Sequence, residues 1–570
     1  MSPPRLGPEL TPDGTRFVVW APRARRVELV LDDRAVPLLR GADGRWAVTT
    51  DAPPGTRYRL RLDGGDPMPD PASRSQPDGV HGASEVVDLA AFEWTQRDWA
   101  GVPLSRLRIY ELHVGAFTPE GTFEAAARRL PELAELGITA IELMPVHDFP
   151  GARGWGYDPA AWYAPCRAYG RPEDLQRFVD DAHACGLSVI LDVVYNHVGP
   201  DGAYVCAFGP VLRRKSTPWG RALNLADRGL RDLILDNARY WLQEYRIDGL
   251  RLDATDRLHD EHDPHLLAEL RLVADAIEGA PRRLIAEDGR NLEVILRPLD
   301  YGGMAMDAVW ADDLHHIVRR IVAGDHHGYF AGVPDTVRGL AECLTHRWWR
   351  GARGVDDLPA ERFVAYLQNH DQIGNRAKGD RLHASVGLPA VRAATGLLLF
   401  AAHTPLLFMG QEHAASTPFL FFSDHGPRVG PTIAEGRRRE LSALPGFDGD
   451  VPDPQAASTF EASKIRWDER ARSPHAEILA LHRALLSLRD DLRGQVEVRH
   501  VTGGGLVLRR GRHTLAVQLV GADELPIPAT SAVALSTEDA RFGGDPGAVT
   551  RDGGALRFSR PGAVVLDTGA

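Results

Sequence analysis

The sequence predicts an α/β protein built on a (β/α)8 TIM barrel, with an N-terminal β-sandwich and a C-terminal β domain. From about residue 105 to residue 492, eight apolar strand-like segments alternate with amphipathic helical segments, which is the number that a parallel barrel requires. Residues 1–95 and 493–570 instead show short alternating segments separated by Pro and Gly turns. We therefore predict domains at residues 1–95, 96–492 and 493–570.

The N-terminal segment is predicted to form a small immunoglobulin-like sandwich. The stretch "TRFVVWAPRARRVELVLDD" alternates apolar and polar residues, and "DAPPGT" and "LDGGDP" are typical turns. No helical period interrupts this pattern before the polar connector near "TQRDWAG". A sandwich of this kind either binds a ligand of its own or only supports the barrel, and the sequence leaves both possibilities open.

The barrel is predicted from its repeating segments. The eight strands lie in "LRIYELHVG", "ITAIELMPV", "LSVILDVVYNH", "IDGLRLDAT", "RRLIAEDG", "AVWADDLHH", "FVAYLQNHD" and "TPLLFMGQE". Helical patterns lie between them, as in "FEAAARRLPELAELG", "PEDLQRFVDDAHACG", "HLLAELRLVADAIE" and "PAVRAATGLLLFAAH". Gly137 and Gly186 follow two of these patterns, where glycine supplies a left-handed helix cap. A last helix, "HAEILALHRALLSLRDDL", precedes the C-terminal strands "VEVRHV", "LVLRR" and "HTLAVQLV".

Composition excludes several classes of protein. The 570 residues are 44% hydrophobic and 25% charged, which is ordinary for a soluble globular protein. The net charge of -12 argues against nucleic acid and anionic membrane as partners. The four cysteines form no C-x-x-C pair, and so few thiols fit a reducing compartment. With no apolar leader and no long apolar run in the sequence, we expect a cytoplasmic protein.

Polar side chains follow the predicted strands at one end. In a parallel barrel the carboxyl ends of all strands meet on one face, and active sites lie there. A device that served only stability would not recur at the same end of so many strands, so we interpret this set as an active site. Its members are Asp192 and His197 after strand three, Arg251 and Asp253 after strand four, Glu287 and Asp288 after strand five, Asp312, Asp313, His315 and His316 after strand six, and Asn369, His370 and Asp371 after strand seven.

The segment "RIDGLRLDATD" indicates which residues of this set react. Residues two apart share one face of a strand, so Arg251 and Asp253 lie together. An isolated pair would usually be a structural ion pair, but among several acids Arg251 instead keeps Asp253 ionised, as a nucleophile requires. Glu287 follows the apolar "RRLIA", whose dry surroundings favour a protonated general acid. Asp371 would orient sugar hydroxyls and stabilise the cationic transition state. The set predicts a retaining glycoside hydrolase.

Four of these segments also carry a family resemblance. "DVVYNH", "GLRLD", the glutamate of "IAED" and "NHD", in this order on strands three, four, five and seven, resemble the signature regions of the α-amylase family of retaining glycoside hydrolases. The resemblance implies Asp253 as nucleophile, Glu287 as acid/base and Asp371 as transition-state stabiliser. It also implies a substrate-binding set of Tyr157 in "GWGYD", Asp192, His197, Arg251, His370, Gln372 and Asn375.

Further stretches narrow the resemblance within the family. The N-terminal "GTRFVVWAPRARRVELVLD" is similar to the sandwich of branching and debranching enzymes and of the members that release trehalose. The stretches "GVHGASEVVD", "YELHVGAFTPEGTF", "AEDGRN", "WADDLHH", "LQNHDQIGNR", "TPFLFFSDH" and "VPDPQAASTFEASKIRW" favour the trehalose-releasing members. Those members cleave the α-1,4 bond next to the terminal α,α-trehalose unit of malto-oligosyltrehalose, a substrate made by a separate synthase. The residue chemistry alone predicts only a retaining α-glucan hydrolase.

Three expectations complete the sequence-based interpretation. We expect Asp312, Asp313 and His315, on a rigid strand end, to supply hydrogen bonds that recognise the trehalose leaving group. We expect no cofactor and no required metal, because the loop after Asn196 does not supply the oxygen ligands that calcium needs. A branching or debranching enzyme stays as the enzymatic alternative. A non-catalytic glucan-binding protein of this fold would be expected to lack one of the three acids, and this chain has all three.

Overall fold

The architecture, known from a computed structural model, has three regions that follow one another along the chain. The structure describes residues 5–41, 43–349, 354–442, 449 and 451–569. Residues 1–4 of the predicted N-terminal domain and residue 570 of the C-terminal one lie outside the described residues. The predicted fold class is confirmed, because a closed eight-stranded parallel barrel lies between two regions of antiparallel β-sheet.

The N-terminal region consists of two four-stranded antiparallel sheets, in the orders β1-β2-β6-β5 and β4-β3-β7-β8. Apolar side chains alternate inward, as Val27 and Leu29 do on one strand and Tyr58 and Leu60 on another, and they pack into one buried cluster. The strands are β1 (Gly7–Thr11), β2 (Gly14–Trp20), β3 (Val27–Val30), β4 (Ala35–Pro37), β5 (Leu39–Arg40), β6 (Arg45–Thr50), β7 (Arg57–Leu62) and β8 (Ser84–Glu85).

The barrel strands close in the order β9-β10-β13-β16-β17-β18-β19-β20, and every neighbouring pair is parallel. All eight predicted segments contain one of these strands. The strands of this region are β9 (Ile109–Leu112), β10 (Ala140–Leu143), β11 (His147–Asp148), β12 (Ala161–Pro165), β13 (Ser188–Val193), β14 (Leu212–Thr217), β15 (Gly220–Leu223), β16 (Gly249–Leu252), β17 (Arg283–Ala286), β18 (Ala308–Trp310), β19 (Phe363–Tyr366) and β20 (Thr404–Phe408).

Helices cover the outside of the barrel and occupy its long loops. The predicted helix "FEAAARRLPELAELG" forms two helices, because Pro131 suits the first turn of a new helix rather than the interior of one. The helices are α1 (Val114–Phe117), α2 (Phe123–Ala127), α3 (Leu130–Leu136), α4 (Pro172–Ala184), α5 (Val205–Phe208), α6 (Arg228–Glu244), α7 (Leu266–Asp275), α8 (Asp312–Ala323), α9 (Val337–His346), α10 (His370–Gly374), α11 (Leu382–Ser385), α12 (Leu388–Phe400), α13 (Gly430–Ser442), α14 (Ala457–Ala462) and α15 (His475–Arg489).

The prediction for the sixth strand is wrong beyond Trp310. The strand β18 ends at that residue, and α8 begins at Asp312. Acidic residues in the first turn suit the positive end of the helix dipole, and Leu314, Ile317 and Val318 recur at helical spacing and are buried. The segment "DDLHH" is therefore the start of a helix and not a strand end.

The barrel interior has an apolar lower layer and a polar upper layer. Ile109, Ala140, Ile190, Ile285 and Val364 belong to one buried cluster inside the ring of strands. Two residues further along several of these strands, the side chains on the same face are charged, because alternate residues point to one side of a strand. This upper layer contains Glu111, Glu142, Asp192, Arg251 and Glu287.

The C-terminal region packs against the barrel through α12. Its sheets have the orders β21-β22-β23-β28-β25 and β24-β27-β26. A buried ion pair at 2.6 Å joins Arg392 of α12 to Glu538. Among the described residues, none of the helices is both long and apolar enough to cross a bilayer. The strands are β21 (Glu497–Val501), β22 (Gly505–Arg510), β23 (His513–Gln518), β24 (Asp523–Pro526), β25 (Ala532–Ser536), β26 (Val549–Asp552), β27 (Ala555–Phe558) and β28 (Gly562–Asp567).

Candidate active site

Arg251 lies at the centre of the polar layer. Its side chain is fully buried, and Nη1 donates hydrogen bonds to Asp192 Oδ2 at 2.7 Å and to Asp253 Oδ1 at 2.8 Å. Its Nη2 lies 2.7 Å from Glu287 Oε2, an ion pair whose angles do not suit a hydrogen bond. Burial lowers the pKa of Arg251, but the three carboxylates outweigh this effect and raise it well above its ordinary value. One permanent cation thus holds carboxyl groups from three strands.

Asp253 accepts hydrogen bonds on both of its carboxylate oxygens. Arg251 donates to Oδ1, and the amide of Asn196 donates to Oδ2 at 2.6 Å and to the backbone oxygen at 2.9 Å. Two donors on opposite oxygens fix the direction of the Asp253 carboxylate. The predicted placement of Arg251 and Asp253 on one face of β16 is confirmed, and Leu250 and Leu252 on the other face join the outer core.

Glu287 follows β17, and its side chain is largely buried, with 24% exposed. Burial raises its pKa well above the ordinary value, and the nearby Asp253 and Asp371 raise it further, while Arg251 and the backbone N–H of Ala254 lower it. A carboxyl group with this balance keeps its proton to higher pH than an exposed glutamate. Glu287 can therefore act as a general acid, as the apolar segment before it predicted.

The residue after Asp253 is held in a strained conformation. Ala254 has a φ of 40°, in the left-handed region that a residue with a Cβ rarely adopts. This turn aims the Ala254 N–H at Glu287 Oε2, 2.9 Å away. Strain of about 1 kcal/mol or more is kept at a site where it positions a reacting group. The backbone of the β16 end therefore positions the carboxyl group at the β17 end.

Tyr157 contacts Asp192, and His197 contacts the backbone of Tyr157. The Tyr157 hydroxyl donates to Asp192 Oδ2 at 2.6 Å, and the Tyr157 ring stacks on His370 at 5.1 Å between centroids. The His197 ring stacks on the half-exposed Trp219 at 5.2 Å, and its Nε2 donates to the Tyr157 backbone oxygen at 2.9 Å. Burial raises the pKa of Asp192 to about 6, and Asp253 adds to this effect, while Arg251 and Tyr157 oppose it. These contacts form one wall of stacked rings.

His370 is paired with a buried carboxylate from the first barrel strand. Its Nδ1 contacts Glu111 Oε1, and its backbone N–H donates to Glu111 Oε2 at 3.1 Å. Burial lowers the pKa of His370, but Glu111 and Asp371 outweigh burial and raise it to about 9. The imidazole is therefore a cation at neutral pH, and its Nε2 lies 3.6 Å from Asp371 Oδ1.

Replacing Glu111 with Gln should remove that charge. Without the carboxylate, burial favours the neutral imidazole, so we expect the pKa of His370 to fall below neutral and kcat at pH 8 to fall about tenfold. Because the folded-state pKa is raised from 6.5 to about 9, the pair stabilises the fold fully below pH 6.5 and loses this effect as pH rises through about 9. Tm measured from pH 6 to pH 10 should fall more steeply for the wild type than for Glu111→Gln. Parallel Tm curves would contradict the assignment, and Glu124→Gln, at a side chain that is 76% exposed, is the control.

Asp371 and its neighbours follow β19. Asn369 caps α10 by accepting the backbone N–H groups of Asp371 and Gln372 on its side-chain oxygen. The Asp371 side chain is 38% exposed, so it is reachable from solvent. The amide of Asn375 donates to Asp371 Oδ1 at 3.0 Å. The Asp371 carboxylate lies near enough to Glu287 to raise the pKa of that group.

The structure separates the residues predicted on strand six. Asp312 accepts a hydrogen bond from the Tyr366 hydroxyl, and burial raises its pKa, with a further increase from Asp371. Asp313 Oδ2 instead accepts from the Asn291 amide at 2.9 Å and from a backbone N–H, and His315 is buried with its Nδ1 bonded to a backbone oxygen. Only Asp312 of these three is held next to the acids, because α8 directs its successive side chains around a helix rather than to one face of a strand.

Two buried acids of the site were missed by the sequence analysis. Glu111 and Glu142 are register partners on β9 and β10, and both are buried. Burial raises the pKa of Glu142 well above its ordinary value, and Glu111 adds to this effect. The signal was present, because Glu111 lies two residues after Ile109 just as Arg251 follows Gly249, and this alternation could have been read on every strand.

A metal site is not evident in the described part of the chain. No group of three or more His, Cys, Asp or Glu side chains there is arranged to hold an ion. Asn196, at the position where a calcium ligand would fall in many members of the family, uses its amide on Asp253.

Comparisons with known proteins agree with the geometry. The family described as the alpha amylase catalytic domain matches residues 69–208, and carbohydrate-binding module 48, the isoamylase N-terminal domain, matches residues 5–76. Malto-oligosyltrehalose trehalohydrolases from Deinococcus radiodurans and Arthrobacter ramosus are 47% and 40% identical, covering 85% and 97% of this chain and 83% and 99% of their own. The crystal structure of a Salmonella typhimurium protein, provisionally assigned as an alpha amylase, superposes with a TM-score of 0.89 at 35% identity and covers 99% of both chains.

Proposed function

The chain belongs to the malto-oligosyltrehalose trehalohydrolases of the α-amylase family, a group of glycoside hydrolases, and from this premise we propose its reaction and the residues that perform it. The reaction is hydrolysis of the α-1,4-glucosidic bond next to the terminal trehalose unit of malto-oligosyltrehalose. The observation that carries the proposal is that the Arg251 guanidinium contacts two carboxyl groups whose neighbours differ. Asp253 has two hydrogen-bond donors, whereas the pKa of Glu287 is raised by burial.

These two environments suit the two steps of a retaining mechanism. Asp253 attacks the anomeric carbon while Glu287 gives its proton to the glycosidic oxygen, so that trehalose leaves and a glycosyl ester forms on Asp253. Glu287, now ionised, removes a proton from water, and the water oxygen displaces Asp253 from the same anomeric carbon. Asp371 and the His370 cation contact the sugar hydroxyls, and Tyr157 provides a ring for the sugar at the cleaved bond.

The substrate specificity is supported by the relatives at 47% and 40% identity. We propose that Asp312, at the start of α8, recognises the trehalose side, since the Tyr366 hydroxyl holds its side chain and it lies close enough to Asp371 for the two charges to interact. The substrate has no reducing end, so a separate synthase that isomerises the terminal glucose of a maltodextrin must act first. A branching enzyme would instead transfer the glycosyl group to another glucan chain.

Product analysis with maltotriosyl-trehalose tests this function. We expect one equivalent each of trehalose and maltotriose, and NMR taken in the first minutes should show the new maltotriose end as the α anomer. Maltopentaose, which has the same number of glucose units, serves as the matched control, and its kcat/KM should be at least about tenfold lower if trehalose is recognised by hydrogen bonds. Initial formation of the β anomer would contradict the retaining mechanism. Transfer products in place of free maltotriose would favour the branching alternative.

A further inference from the structure

Asp371 has few side-chain partners for a residue that must be placed accurately. Its Oδ1 accepts from Asn375 Nδ2 at 3.0 Å, and His370 Nε2 lies 3.6 Å away, beyond a normal hydrogen bond. A catalytic side chain must be held within about 0.5 Å of its working position. The direction of the Asn375 amide therefore matters for the Asp371 carboxylate.

Arg437 fixes the direction of that amide. Its Nη1 lies 2.9 Å from Asn375 Oδ1 and donates to it. A guanidinium can only donate, so it holds the amide oxygen toward itself and leaves the amide NH₂ group to face Asp371. A flipped amide would turn its NH₂ toward Arg437 and its oxygen toward a carboxylate, which would replace two hydrogen bonds by two repulsive contacts.

Arg437 is itself held firmly. Its side chain is 8% exposed and lies over the Phe421 ring at 4.9 Å, and Nη2 donates to the Gly374 backbone oxygen. The same guanidinium pairs with Glu440 on its own helix at 2.9 Å. A cation at the last carbonyl groups of α10 also suits the negative end of that helix. Both the amide of Asn375 and the end of α10 are thus bound by one buried side chain.

The other side of α10 is closed by an aromatic ring. A Cβ on Gly374 would lie 2.0 Å from Cη2 of Trp155, so only glycine allows this approach. The Trp155 Nε1 donates to the Leu420 backbone oxygen at 2.9 Å, which ties the ring to the loop after β20. The helix that carries Asp371 is therefore enclosed between Trp155 and Arg437.

We infer that Arg437, on helix α13 of the insertion after β20, is a positioning residue that places the Asp371 carboxylate by fixing the Asn375 amide. The inference rests on the proposed role of Asp371, but it assigns a task to a helix that lies outside the four signature segments. Arg437 does not contact the sugar in this scheme. Its effect should appear in kcat rather than in KM, because it acts on the geometry of the transition state.

The test compares Arg437→Gln, Asn375→Ala and the double variant. We expect each to lower kcat on maltotriosyl-trehalose by about 10- to 100-fold, with KM changed by less than about twofold, since a small misplacement costs this much. Because Arg437 acts through Asn375, the double variant should be no slower than Asn375→Ala. Multiplied losses would overturn the inference, as would an unchanged kcat in Arg437→Gln.

Two further measurements keep the test decisive. Arg437→Lys retains the cation but loses the planar fork, so a smaller loss of kcat is expected if Arg437→Gln does not fold. Arg439→Gln, at a side chain on α13 that is 76% exposed, is the control and should keep wild-type kcat.

Each variant is also assayed on α-maltotriosyl fluoride, which needs no trehalose recognition. If the wild type hydrolyses only the fluoride, the proposed specificity fails while the effect of Arg437 is still measured. A lower Tm with normal kcat would make Arg437 purely structural.

Discussion

Replacing Asp253 with Asn is expected to lower kcat on maltotriosyl-trehalose by about 10⁴-fold or more, because an amide cannot form the glycosyl ester. The side chain keeps its size, so the folded structure should persist. Arg251 and Asn196 both donate to the Asp253 carboxylate, and the new NH₂ group must face one of these donors. We therefore also expect a loss of about 1–3 kcal/mol in the free energy of unfolding.

The measurement is steady-state kinetics together with circular dichroism of the same preparation. Asp300→Asn, the same chemical change at an exposed position, should keep full activity. A fluorinated maltosyl fluoride that traps the glycosyl ester should label Asp253 in wild-type enzyme, as found by peptide mass spectrometry. Retention of a tenth of wild-type kcat by Asp253→Asn, or a label on another residue, would remove Asp253 from the role of nucleophile.

Replacing Glu287 with Gln is expected to lower kcat/KM on maltotriosyl-trehalose by about 10²- to 10⁴-fold, because trehalose then leaves without a proton. On α-maltotriosyl fluoride, whose leaving group needs no proton, kcat/KM should change by less than about tenfold. Hydrolysis of the glycosyl ester also loses its base, so kcat should be low on both substrates. Azide needs no base to attack the glycosyl ester. Added azide should therefore raise kcat of Glu287→Gln on α-maltotriosyl fluoride and yield the maltotriosyl azide of α configuration.

The dependence on pH has a definite sign. Glu287 works in its protonated form, and burial raises its pKa well above the ordinary value of 4.5, with Asp253 and Asp371 adding to this effect. The wild-type kcat/KM on maltotriosyl-trehalose should therefore fall as pH rises through this raised pKa. The alkaline limb should be missing from the profile of Glu287→Gln. An alkaline limb that is unchanged in the variant would assign that proton to another group. In the azide experiment, a product of β configuration would exclude Glu287 as the acid/base.

The local part of the site could be predicted from the sequence. Asp192, Asp253 and Glu287 follow apolar strand segments, and the barrel places the ends of those strands on one face whatever the loops do. Alternation along β16 placed Arg251 beside Asp253, and the structure confirms it. The same alternation, applied to β9 and β10, would have found Glu111 and Glu142. These predictions need only the period of a strand and the closure of the barrel.

The prediction of the sixth strand was wrong because its local pattern is ambiguous. "AVWADDLHH" contains both a short apolar run and the first turn of an amphipathic helix, and strand and helix patterns overlap over so few residues. The change of period at Asp312 directs Asp313 and His315 to different neighbours, namely the Asn291 amide and the backbone oxygen of Leu367, just after the next strand. Extending the predicted strand from Trp310 to His316 thus changed which side chains were expected to reach the site.

The sequence by itself determined the fold class and the order of the three acids along the chain, since the strand period, the number of strands and the polar strand ends are local properties. Only the tertiary structure decided what holds those acids. Arg251 meets Asp192 from a strand 59 residues earlier, Glu111 meets His370 across 259 residues, and Arg437 meets Asn375 across 62. Each of these contacts depends on how the barrel closes and how its long loops pack. The charge of His370 and the direction of the Asn375 amide follow from the burial and distance of these partners, which a linear spacing does not contain.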